Sequence, residues 1–196
     1  MSEFMFDAND TWPLPNYSTG PTKHLHALGV ISLNFNMYEV ALQVFLEFYT
    51  DKPTAEFLFD NSSNERRMET IRYFAVRNEK DPIILELIQY SLKHYGRCFE
   101  NRNILMHSKQ YFAVSFEHLL SLEKKPKGKK SAMTFHLESD DLRRVADDMM
   151  DGVFFVTDIW RVVDFRDREP KDRTTGTFRT PSLPEEPPLP NVLSSS

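Results

Sequence analysis

Six consecutive residues, Arg102-Asn103-Ile104-Leu105-Met106-His107, hold the side chains whose types and spacing could act together on a substrate. A neutral imidazole can take a proton from a hydroxyl, a guanidinium can neutralise a phosphate through planar donors, and an amide can orient either group. The chemistry that wants this set is phosphoryl transfer within RNA. There His107 would take the ribose 2′-hydroxyl proton, Arg102 would stabilise the charged phosphate, and Asn103 would position the imidazole or the phosphate. No metal or other cofactor enters that scheme. By chance, Arg-Asn-x-x-x-His is expected in about one chain in a hundred of this length.

Each of these residues also has a plain structural role open to it. Arg102 and His107 could cap a helix end and hydrogen-bond at the surface, and Asn103 could satisfy loop backbone groups. On a helix, positions 103 and 107 share a face one turn apart, while 102 sits roughly 140° around from 107. Glu39 falls on the polar face of a long helix, either solvated or pointing into a cleft beside the motif. Lys124, Lys125, Lys127, Lys129 and Lys130 crowd a loop that reads as a solvated hairpin tip or as a contact for RNA phosphates. Asp147 and Asp151 share a helix face, a pattern of solvated acids more often than of a cation site. His24, His26, His94, His118 and His136 show no metal-ligand spacing, and neither a phosphate-cradling glycine loop nor a nucleophile elbow is present.

The elements that must position the motif are mostly helical. Leu28, Ile31, Phe35, Tyr38, Leu42, Phe45 and Tyr49 recur at spacings of three and four, one stripe of a long helix. A second stripe, Val30, Met37, Ala41, Val44 and Phe48, predicts contacts on two sides, with Asn36, Glu39, Gln43 and Glu47 on the remaining face. That helix should end before Pro53, and the Asp60–Asn64 cluster should cap a helix running through Met68, Ile71, Phe74 and Ala75. Asp81-Pro82 opens a third helix, expected to reach Gly96, so that the motif follows in a polar segment between helix and strand. Alternation at Tyr111–Glu117 and at Met133–Leu137, joined by the lysine-rich stretch with Pro126 and Gly128, predicts a β-hairpin at about 110–137, which cannot itself form the main core. Ser139-Asp140-Asp141 starts a last long helix whose apolar face runs from Leu142 to Val163 and whose pattern fails from Asp164.

These elements suit one domain over residues 24–165, preceded by an irregular arm (1–23) in which Phe4, Phe6 and Trp12 could dock on the body. It is followed by a proline-rich tail (166–196) too poor in apolar residues to be ordered. Hydrophobic residues form 40% of the chain and 16 are phenylalanine, enough for a core without staples. The single Cys98 excludes an internal disulfide and any cysteine-rich metal site. A formal charge of -5 argues against coating nucleic acid through bulk charge, while leaving room for a local basic patch. With no secretory pattern in the first thirty residues and no uninterrupted apolar span, the expected location is the cytoplasm, away from membranes.

Arg102, Asn103 and His107 resemble the motif of the HEPN superfamily, which is an arginine, a polar residue, a few variable positions and a histidine. The resemblance implies a mainly α, antiparallel helical bundle and a homodimer that brings two motifs into a shared cleft. It also implies RNA binding or metal-independent endoribonuclease activity, often in toxin or defence systems with an antitoxin or other protein partner. The hairpin departs from the simplest HEPN bundle and reads as an insertion. Some HEPN-like domains are inert, so a non-catalytic helical dimerisation or interaction module is the alternative.

Overall fold

The computed structural model describes residues 22–112, 119–124, 132–167 and 181–195. Within them, five helices and three strands form a mainly α fold: α1 (Thr22–Tyr49), α2 (Lys52–Asp60), α3 (Asn64–Asn78), α4 (Pro82–His107), β1 (Lys109–Phe112), β2 (Leu119–Lys124), β3 (Met133–Glu138) and α5 (Ser139–Asp167). None of these helices is long and apolar enough to cross a membrane.

The long stripe of α1 is the core of the bundle, with Leu28, Ile31, Phe35, Tyr38, Leu42 and Phe45 all buried. Phe35 stacks on Tyr95 and Phe99, while Tyr38 meets Ser91 and His94, so α1 and α4 run antiparallel. Asn34 donates to the Ala146 carbonyl at 2.9 Å and Tyr38 lies against Gly152, so α5 runs parallel to α1. A Cβ on Gly152 would stand 2.3 Å from the Tyr38 ring, so this crossing requires glycine. Where α3, α4 and α5 meet, the buried Glu79 accepts from Arg166, Tyr49 and the Asp81 amide. Burial alone would raise this carboxyl, but those donors hold it below its usual range.

Several expectations need correction. α1 ends before Pro53 as expected, but the stretch that follows holds a further helix: Asp51 caps α2 and Pro53 sits in its first turn, where proline's missing N–H costs nothing. Gly96 does not end α4. It packs near Met68, and Cys98, Asn101, Ile104 and Leu105 continue the buried face to His107, so the motif lies on the helix. The second stripe of α1 is covered only in part, since Val30, Ala41 and Phe48 pack on the core while Met37 and Val44 are exposed. The β region is a three-stranded antiparallel meander in which β2 separates β1 from β3. Lys109 pairs with Glu123, and Lys124 with Met133. Leu122, Phe135 and Leu137 are buried in the main core, most of which the helices form. α5 continues past the apolar pattern to Asp167, where Arg166 reaches Glu79.

The largest correction concerns the tail. Residues 181–195, expected to be disordered, lie extended along α4. Tyr90 donates to the Pro187 carbonyl (2.5 Å), Arg97 to that of Pro190 (2.9 Å) and the Asn101 amide to that of Asn191 (3.0 Å), while the Leu193 amide donates to Asn101 Oδ1 (2.9 Å). These four bonds at about 1 kcal/mol each, with roughly 2 kcal/mol for the buried Leu193, nearly match an ordering cost of about 1 kcal/mol per residue over 187–193. Low apolar content missed this because backbone carbonyls, which every sequence carries, supply most of the attachment. The expected arm lies outside the described residues except for Thr22 and Lys23, which begin α1.

Candidate functional site

The three motif side chains meet at the C-terminal end of α4. Arg102 Nη1 stands 3.0 Å from His107 Nε2 and 3.5 Å from Asn103 Oδ1. Helical phase alone had placed Arg102 well around from His107; the length of the arginine closes that gap. A guanidinium has no lone pair, so the Arg102–His107 contact is a hydrogen bond only when Nε2 is unprotonated, the form a general base needs. His107 is exposed and is the last residue of the helix, with Ser108 as its C-cap.

Aromatic packing sets the arginine. Its guanidinium carbon lies 5.6 Å over the Phe35 ring, itself backed by Tyr95 and Phe99. A cation over such a face gains about 0.5–1 kcal/mol at an accessible site. The contact holds the guanidinium itself beside the ring, with Nη1 turned toward His107. The α4 C-terminus carries the partial negative charge of its helix end, so a phosphate brought here must be attracted by Arg102 and not by the helix end. Phe35 is a neighbour that motif spacing could not reveal, because it enters through the α1–α4 crossing.

Glu39 is placed elsewhere. It accepts from Arg67 of α3 at 2.6 Å and from the Tyr95 hydroxyl at 3.1 Å, tying three helices together. Arg67 in turn lies over Phe59 and donates to its carbonyl. Burial and the adjoining Glu39 carboxylate push the Tyr95 hydroxyl well above its ordinary range. Glu39 thus serves a fastening contact, one helical turn from Phe35.

Of the lysine cluster, Lys124 falls at the motif's end of the sheet. Lys109, one residue past the Ser108 cap, pairs with Glu123, so Lys124, at the end of β2, emerges beside the strand that leaves His107. Lys125, Lys127, Lys129 and Lys130 lie outside the described residues.

A second polar cluster lies deep in the bundle. His94 is completely buried, with Nδ1 3.2 Å from the Tyr38 hydroxyl and 3.7 Å from Cys98 Sγ. Tyr38 also reaches the Ser91 carbonyl at 3.2 Å. One hydroxyl proton serves both contacts if Tyr38 donates to Ser91 and His94 Nδ1–H donates to Tyr38. Nε2 is then a buried lone pair with no partner. Burial pushes His94 down to about 4 and raises Cys98, leaving a neutral imidazole and an unreactive thiol. Asp147 and Asp151 are exposed on α5. Among the described residues, no three His, Cys, Asp or Glu side chains are grouped to hold a metal ion.

A comparison with protein families, curated proteins and solved structures finds no match to this chain.

Proposed function

We propose that this chain is a HEPN-like, RNA-binding, metal-independent endoribonuclease that works as a homodimer. The observation that carries the proposal is the Arg102–His107 contact of 3.0 Å at solvent, with Asn103 on the same guanidinium nitrogen. When RNA binds, Arg102 exchanges the imidazole for a non-bridging phosphate oxygen, which frees the Nε2 lone pair. His107 then takes the 2′-hydroxyl proton, the 2′-oxygen attacks the adjacent phosphorus, and the P–O5′ bond breaks. The leaving 5′-oxygen takes a proton from water or from the second copy's imidazole, leaving a 2′,3′-cyclic phosphate and a 5′-hydroxyl. Asn103 orients the pair, and Lys124 with the four lysines after it steers the backbone.

Self-association is supported by a separate feature. Leu33 and Val40 on α1 are 65% and 60% exposed and, with Met37 and Val44, form an outward stripe at spacings of four, three and four. The stripe borders a groove of about 610 Å³ that also includes Val153 and Trp160 of α5. A seam of this spacing suits packing against a second helix. It equally favours a non-catalytic interaction module, so the decisive experiment is chemical. Wild type, His107→Ala and Arg102→Ala are incubated with a mixed RNA pool in EDTA and the product ends are examined. Cyclic-phosphate ends that vanish in both folded variants support the ribonuclease. Absence of cleavage, or equal cleavage by all three proteins, favours the module.

A further inference from the structure

We propose that the α4 face bearing Tyr90, Arg97 and Asn101 is a binding site for extended proline-rich peptide, and that the chain's own C-terminal segment, residues 187–193, is its exchangeable ligand. The three side chains sit seven and four residues apart on one helical stripe. They do not read the tail's side chains. Tyr90, Arg97 and the Asn101 amide each donate to a tail carbonyl, and Asn101 also accepts from the Leu193 amide. Asn101 is fully buried and grips the backbone at two points, as one strand grips another, although it belongs to a helix.

Selectivity comes from what surrounds those bonds. Leu193 is buried and Val192 packs on the core, so the site selects an apolar residue beside the clamp. Five prolines between Pro181 and Pro190 hold the incoming chain extended before it docks, which lowers the ordering entropy. Glu186 lies close enough to Tyr90 and Arg97 that their charges act on the same hydroxyl, which places an acidic residue of the tail near the site's basic one. The ligand class is therefore an extended Pro-rich segment with an acid upstream and the ending Pro-Asn-x-Leu. Because its attachment nearly balances its ordering cost, the tail should leave and return without unfolding the bundle.

The inference is independent of the ribonuclease reading, and its test involves no RNA. A fluorescent synthetic peptide of residues 181–195 is titrated into three full-length proteins: wild type, Leu193→Asp, whose own tail has lost its anchor, and Leu193→Asp with Asn101→Ala. Saturable binding to Leu193→Asp, at least tenfold weaker in wild type and lost in the double variant, is the expected result. Failure of a folded Leu193→Asp protein to bind, or undiminished binding after Asn101→Ala, overturns the proposal. Should Leu193→Asp not fold, hydrogen exchange on the wild type decides. A Leu193 amide exchanging far faster than the buried middle of α4 supports an exchangeable ligand, while one as slow as that core makes the tail a permanent brace.

Discussion

α4 carries two histidines thirteen residues apart that have opposite fates. His94 is sealed between α1 and α5, held by Tyr38 and pushed down to about 4 by burial. His107 stands at the helix end, exposed, with its ring nitrogen against a guanidinium that can move away. Burial fixes protonation and position at the first, and nothing can reach it. Exposure at the second leaves the lone pair available to a substrate. A polar residue with spare hydrogen-bonding capacity at an accessible place can meet a substrate, whereas a shifted titration by itself marks only the buried histidine.

Substitutions can break that contrast. The largest effect is expected at the exposed end, where His107→Ala should lower RNA cleavage about 10²–10⁴-fold and leave unfolding stability within roughly 0.5 kcal/mol. Parallel cleavage assays and urea melts check both, and a large stability loss would merge the two histidines into one structural class. At the buried end, Gly152→Ala drives a methyl into the Tyr38 ring and should destabilise by about 1–3 kcal/mol or more in urea melts. RNA cleavage by the remaining folded fraction should be unchanged.

Acidity sharpens the comparison further. Above pH 6.5, His94 is neutral in both folded and unfolded chains and contributes no slope. Between 6.5 and about 4 the unfolded chain takes a proton that the native state refuses, so stability falls as pH falls, at up to about 1.4 kcal/mol per unit. Asp148, raised chiefly by burial, acts in the opposite sense, because its native form takes up a proton first. The measurement is therefore the difference between wild type and His94→Gln across that window, and parallel stability curves would count against a buried neutral imidazole. The smallest effect is expected at Glu39→Gln, about 1 kcal/mol in a thermal or urea melt with cleavage unchanged, since Glu39 fastens Arg67 and Tyr95. A drop in cleavage there would return Glu39 to the cleft.

Much of the fold was legible. The three-and-four spacing from Leu28 to Tyr49, the Asp81-Pro82 start and the Ser139-Asp140-Asp141 start all correspond to real helices, because local periodicity and capping act within a few residues. Gly96 misled because a glycine can follow the end of a helix or lie inside one, as it does here.

The same division runs through the candidate site. By its own sequence this chain determined that four long helices form, that Arg102, Asn103 and His107 lie within six residues, and that a lysine-rich stretch follows. The tertiary structure alone decided that Arg102 lies over Phe35, that Glu39 belongs to Arg67, that His94 is hidden and that the tail lies along α4. Periodicity and caps are governed by neighbours along the chain, whereas burial and partnership depend on residues up to 112 positions away in sequence, as between Asn34 and Ala146.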